Sequence, residues 1–186
     1  MEIEQTRPIV NNKFFIRSAR DSGYKNAAYA IAELIDNSIQ AGANDVSLVC
    51  SDDIVEINGN RYSRINEIAI YDNGEGMSPD ILHKSLSFGD GSRLEQINRK
   101  GMGQMGKFGM GLPLSSISQA NRVDIYSWQN GLINTHHTFL CIDQIESGEQ
   151  ESYSFPTKKS IPPKWFRPLD INKESGTIVI WSNLPR

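Results

Sequence analysis

Cysteine is scarce in this chain. Cys50 and Cys141 are the only two among 186 residues, at no metal-ligand spacing, so a reduced, cytosolic setting is the simplest expectation. Long apolar runs are missing too. No stretch approaches the length of apolar sequence that a spanning helix needs, so no membrane segment is expected. The opening MEIEQTRPIV has no apolar core of the kind a secretory signal carries. A strong charge of either sign is also absent. The formal net charge is −3, which draws neither nucleic acid nor a membrane surface to the domain as a whole. Repeats and low-complexity tracts do not occur. What is present is 38% hydrophobic and 22% charged, with 3 Trp, 6 Tyr and 7 Phe, which suits one soluble globular domain and argues against wholesale disorder.

Residues 1–20 are mixed, with one apolar patch at Phe14, Phe15 and Ile16. Asp21 or Ser22 can cap a helix that Gly42 ends, and Ala28, Ile31, Leu34, Ile35 and Ile39 recur at helical spacing as its core stripe. Strands are expected at 46–50, 54–57 and 67–71, with Asn58-Gly59 as a turn. Ser78-Pro79-Asp80 starts a helix reaching about Leu86. Residues 87–108 are glycine-rich with little periodicity, and a loop of that length in a compact domain is usually a functional lid. A short helix from Gly111 to Ala120 follows, and Pro113 confines it to starting there. Arg122–Trp128 and Leu132–Cys141 flank the hairpin signal Gln129-Asn130-Gly131. The polar, proline-bearing stretch 142–175 gives no assignment beyond a local anchor at Trp165 and Phe166, and Thr177–Trp181 is a last strand. Strands and helices in this order lack a steady βαβ rhythm and point to a two-layer α+β sandwich.

Three motifs carry chemistry. In Glu33-Leu34-Ile35-Asp36-Asn37, Glu33 and Asn37 lie one turn apart on a helix face beside the small Ala30 and Ala41. Glu33 can take a proton from an attacking water, and Asn37 offers the uncharged oxygen that suits Mg²⁺. In Asp72-Asn73-Gly74-Glu75-Gly76-Met77, the aspartate ends a strand and can accept a hydrogen bond from an exocyclic amine, as selection of adenine requires. Gly74 and Gly76 permit close backbone approach, and Met77 is a pliable apolar wall for a planar ring. In Gly106-Lys107-Phe108-Gly109-Met110-Gly111, a glycine-dense loop enters a helix, so bare N–H groups, the helix end and the Lys107 charge can all meet phosphates.

Rival readings fail on context. Gly101 to Lys107 fits G-x-x-x-x-G-K, but the next residue is Phe108 rather than the Ser or Thr of a P-loop. A dinucleotide fingerprint must follow a strand, and 94–100 is polar and charged. A calcium loop opening at Asp72 needs Glu at its twelfth position, which is His83.

Together the three motifs resemble the GHKL, or Bergerat-fold, ATPases, and "AELIDNSIQAGA", "DNGEGM", "LSFGDGSR" and "GKFGMGLPLSS" look most like the MORC or heat-shock-chaperone branch. A fourth match is Ser175-Gly176-Thr177 leading into Ile178-Val179-Ile180, similar to the closing Gly-Thr strand of that class. The resemblance implies a mixed, mostly antiparallel sheet covered on one face by helices, an N-terminal segment 1–25, and an ATP-binding domain over 26–186 with its lid at about 87–108. It implies Glu33 as the general base and Asn37 as the Mg²⁺ residue. Asp72 would bind the adenine amine with Thr177 backing it, Gly74, Gly76 and Met77 would line the base pocket, and Gly106, Lys107, Phe108, Gly109, Met110 and Gly111 would wrap the phosphates. ATP and Mg²⁺ are the implied cofactors. The implied activity is slow hydrolysis driving an ATP-gated homodimer that acts on DNA or a protein client. Relatives usually add a lysine from a following domain, and the chain stops at Arg186, so an excised domain with weak activity of its own is expected. The alternatives are a histidine-kinase-type catalytic domain, which Glu33 disfavours, and a nucleotide sensor that does not hydrolyse. His83, His136 and His137 are read as surface or structural residues.

Overall fold

The computed structural model describes residues 11–89, 110–152, 154–171 and 174–185. Helix α1 (Asn12–Ser22) is capped by the Asn11 side chain and buries Ile16 in the core. It takes in the apolar patch that showed no helical repeat, because Phe14 and Phe15 stay exposed and a single turn does the packing. Helix α2 (Ala27–Gln40) starts later than its expected cap. Asp21 and Ser22 end α1, and Asn26 accepts the Ala28 N–H at 2.8 Å instead. Gly42 closes α2 at φ 71°, as its position predicts.

The buried row of α2 differs from the expected stripe. Ala30, Leu34 and Ser38 face the core, Ile31 is partly buried, and Ala28, Ile35 and Ile39 lie outward. The polar Ser38 sits in this buried row with its hydroxyl 3.0 Å from the Leu34 carbonyl oxygen and 3.1 Å from Asp72 Oδ2.

Strands β1 (Val46–Ile57) and β2 (Asn60–Asp72) form one long antiparallel hairpin where shorter strands were expected. A register shift between Ser51 and Asp52 absorbs the acidic interruption, and Asn58 and Gly59 turn at φ 52° and 78°. Helix α3 (Pro79–Ser85) begins as predicted, on the Ser78 cap. Helix α4 (Gly111–Gln119) carries Pro113 within its first turn, where no intrahelical N–H is lost. Strands β3 (Arg122–Trp128) and β4 (His136–Cys141) pair as predicted, but a 3-10 turn at Leu132–Asn134 lengthens their connection.

The remaining elements are α5 (Ile142–Ser147), β5 (Thr157–Lys158), a 3-10 turn at Pro163–Trp165, α6 (Phe166–Leu169) and β6 (Gly176–Ser182). The sheet order is β1-β2-β6-β3-β4-β5, and every described pairing is antiparallel. The last strand therefore enters the centre, between β2 and β3. On one face the helical layer closes a core of Leu34, Ile70, Ile117, Ile125, Val179 and Trp181, which is the α+β sandwich the sequence implies. On the other face Ile161, Trp165 and Leu169 cover Tyr71, Trp128 and Ile178. Within the stretch 142–175, Ile142 joins the first core, while Ile161 to Leu169 supply the cover for the second face, with Trp165 buried and Phe166 exposed. Among the described residues no helix is long and apolar enough to cross a membrane.

Candidate functional site

Strand register builds the first half of the site. Asp72 ends β2 opposite Thr177 of β6, and Thr177 lies opposite Ser127 of β3, so the three side chains form one row across the sheet on its helical face. Asp72 is only 8% exposed. Its Oδ1 accepts the Gly74 N–H at 3.0 Å and its Oδ2 accepts the Ser38 hydroxyl at 3.1 Å. Burial raises the Asp72 carboxyl above its ordinary range, and the Gly74 and Ser38 hydrogen bonds pull the other way without cancelling it.

The turn after Asp72 is docked on all sides. The Glu75 N–H donates to the Ala41 carbonyl at 2.9 Å, at the end of α2. A Cβ on Gly74 would sit 2.8 Å from that same carbonyl oxygen. Gly76 has φ 67°, and a Cβ there would lie 2.1 Å from the Trp128 carbonyl oxygen. Packing therefore requires glycine at both positions, and at Gly76 the left-handed backbone requires it as well. Met77 donates its N–H to Ser127 Oγ at 2.8 Å, and Ser127 Oγ lies 2.9 Å from Thr177 Oγ1. The Thr177 hydroxyl thus supports the turn through Ser127, in the row beside Asp72.

The second half lies on α2 and α4. Glu33 and Asn37 occupy successive turns of α2. Glu33 Oε2 accepts the Tyr24 hydroxyl at 3.1 Å, while a Cβ on Gly111 would fall 1.9 Å from Glu33 Oε1. The carboxylate therefore rests against the bare backbone that opens α4. Met110 precedes that helix with no side-chain cap. Gly106, Lys107, Phe108 and Gly109 lie outside the described residues, as does 90–108 of the expected lid.

The pattern of the family described as Histidine kinase-, DNA gyrase B-, and HSP90-like ATPase matches residues 24–177. The chain belongs to this ATPase family. It is also similar to Protein MICRORCHIDIA 5 of Arabidopsis thaliana, 27% identical over 120 residues, which is 64% of this chain and 16% of that protein. The chain thus matches a small part of the length of that relative.

As a domain of an ATP-binding, ATPase-type family, the chain brings Glu33, Asn37, Asp72, Gly74, Gly76, Met77, Gly111 and Thr177 to the helical face and the adjoining strand ends. Sequence reasoning missed the residues that hold them. Ser38 and Ser127 are polar residues on apolar rows, Ser38 four positions after Leu34 and Ser127 two after Ile125, and that misfit was the available signal. Tyr24 and Gln129 had none. Gln129 Nε2 donates to the Glu75 carbonyl at 3.0 Å.

Whether the site suits Mg²⁺ can be judged at Asn37. Its Nδ2 is buried without a hydrogen-bond partner among the described residues. A half-turn of the amide about its terminal torsion presents Oδ1 at that inward position. No group of three or more His, Cys, Asp or Glu gathers there among the described residues. One amide oxygen with few protein ligands fits an ion that keeps its waters and binds substrate phosphates. The histidines stand elsewhere: His137 Nε2 meets Asp124 Oδ1 at 2.7 Å, and His136 Nδ1 meets the Asn134 carbonyl at 2.7 Å.

Proposed function

We propose that the chain binds Mg·ATP across α2, with adenine at Asp72 and the phosphates at the start of α4, and hydrolyses it slowly as an ATP-gated switch. The observation that carries this reading is a pair of carboxylates at opposite ends of one helical stretch, Glu33 carried by α2 itself and Asp72 hydrogen-bonded to Ser38 of α2. From Glu33 to Ser38, the residue bonded to Asp72, α2 rises about 7.5 Å. A carboxylate has roughly four lone-pair positions, and two on Asp72 are taken by Gly74 and Ser38, so acceptor capacity remains for an exocyclic amine. Gly74, Gly76 and Met77 border the base. Thr177 acts by holding Ser127 and, through it, the Met77 backbone.

At the other end, Glu33 accepts a proton from water as the phosphate is attacked. The N–H groups that open α4 and the positive end of its dipole favour negative charge there. Gly106, Lys107, Phe108, Gly109, Met110 and Gly111 wrap the phosphates in this reading. Asn37 would hold the Mg²⁺, which when bound neutralises phosphate charge.

ATP contacts that order the segment near the phosphates would favour pairing of two protomers in the full-length protein, and hydrolysis would release them. DNA or a protein client would be engaged through other parts of that protein. A reduced, cytosolic setting suits the free thiols Cys50 and Cys141.

Calorimetric titration of a non-hydrolysable ATP analogue with Mg²⁺, on wild type, Asp72→Asn and Glu33→Ala, tests the reading. Wild type and Glu33→Ala should bind alike, and Asp72→Asn should bind at least about tenfold more weakly. Equal binding by all three would move the nucleotide away from Asp72.

A further inference from the structure

We propose that Tyr24 is a positioning residue for Glu33, pinning one carboxylate oxygen so that the other faces the start of α4. This rests on the reading of Glu33 as the base. A glutamate side chain is long, and its terminal torsion is broad, so an unheld carboxylate spreads its basic lone pairs over many directions. Here the two oxygens are unequal. Oε2 accepts the Tyr24 hydroxyl at 3.1 Å. Oε1 lies against Gly111, where a Cβ would come within 1.9 Å of it and within 2.7 Å of the carboxyl carbon. Any side chain at 111 would push the carboxylate out, so glycine there makes room for the base as well as for phosphate.

Tyr24 is itself anchored. It lies in the link between α1 and α2, its ring is packed against the helical core, and its carbonyl accepts the Gln119 Nε2 at 2.6 Å from the far end of α4. The two contacts of Tyr24 therefore tie the direction of Glu33 to α4, the helix whose first turn meets the phosphates. Burial first, then the neighbouring Glu33 charge, push the phenol above its ordinary value, so it remains a donor at neutral pH. A phenol O–H given to a carboxylate is a charge-assisted bond, which is directional as well as strong.

Tyr24→Phe removes one oxygen and keeps the ring. The test is single-turnover hydrolysis of γ-labelled ATP with Mg²⁺ and excess protein, on wild type, Tyr24→Phe, Glu33→Ala and the double variant. Melting temperature and affinity for the non-hydrolysable analogue are measured alongside. Tyr24→Phe should keep its affinity within about twofold and turn over roughly tenfold more slowly, a part of the full contribution of a general base. In the Glu33→Ala background it should cost nothing further, since there is no carboxylate left to aim. If Tyr24→Phe turns over like wild type while Glu33→Ala is dead, positioning by Tyr24 is refuted and the base reading survives. If Tyr24→Phe loses affinity and turnover together, Tyr24 is only a structural anchor. If wild type turns over no faster than Glu33→Ala, the base reading falls and positioning with it.

Discussion

Ser127 and Thr177 join their hydroxyls at 2.9 Å across β3 and β6, and Ser127 also takes the Met77 N–H at 2.8 Å. The pair links the centre of the sheet to the turn that follows Asp72. Ser127 is fully buried, so Ser127→Ala leaves the Met77 N–H without a protein partner. An orphaned buried donor costs about 1–3 kcal/mol. Urea unfolding of Ser127→Ala should show a loss of that size, and analogue affinity should fall with it because Met77 is no longer held. Thr177→Ser, which keeps the hydroxyl, should lose far less. Equal losses in both variants would mean that packing, not the hydroxyl chain, supports the turn.

Gly76 admits no side chain. At φ 67° with a Cβ position 2.1 Å from the Trp128 carbonyl oxygen, Gly76→Ala must shift either the turn or β3. Overpacking of this kind costs about 1–3 kcal/mol, and the left-handed backbone adds to it. Thermal unfolding should register the loss. Gly59→Ala, at φ 78° in a hairpin tip with open space around its Cβ, should be milder. A Gly76→Ala variant as stable as wild type would contradict the packing described for the turn.

The placement of the candidate residues was legible because local backbone rules already fix it: Asp72 at a strand end, Gly74 and Gly76 in a turn, Glu33 and Asn37 one turn apart on a helix. Their supports were less so. Ser38 takes a core slot on α2, where its hydroxyl reaches both the Leu34 carbonyl and Asp72, and a periodicity count assigns that slot to Ile35 or Ile39 instead. The α1 helix buries mainly Ile16, too little for a repeating pattern. Ile161, Trp165 and Leu169 cover the second sheet face from a proline-interrupted stretch, so neither a helical nor an alternating period marks them. The fold class follows from the order of elements. The two-faced packing follows only from the tertiary pairing of β6 with β2 and β3.

Asp124 makes a prediction away from the site. It is partly buried beneath Arg122, at 2.7 Å, and His137, at 2.7 Å. Burial alone would raise its carboxyl, but the hydrogen bonds from His137 and Arg122 outweigh that and hold it at about 2. The folded value lies below the ordinary 3.8, so the stabilisation is complete above pH 4 and is lost as pH falls through about 2. It amounts to roughly 2 kcal/mol. Asp124→Asn should therefore be less stable than wild type at pH 7 by about that much, and the gap should close on acidification. Urea unfolding at several pH values measures it, and a gap independent of pH would remove the charge from the explanation.

Asp72 runs the opposite way to Asp124. Burial raises its carboxyl above the ordinary 3.8 despite the Gly74 and Ser38 hydrogen bonds. A carboxyl raised in the folded state costs stability once ionised, so this contribution worsens as pH rises through the raised value and is absent below the ordinary one. Asp72→Asn removes the ionisation. Its single oxygen can still take the Gly74 N–H, but the amide nitrogen cannot accept from Ser38 or from an exocyclic amine. The variant should therefore fold with stability within about 1 kcal/mol of wild type at pH 7 and bind the ATP analogue at least about tenfold more weakly, the usual size of one lost charge-assisted hydrogen bond. Denaturation and calorimetry on the same preparation decide it. A variant that loses stability and affinity in step would make Asp72 a fold residue, whereas stable folding with lost binding requires a ligand to be what that buried charge is kept for.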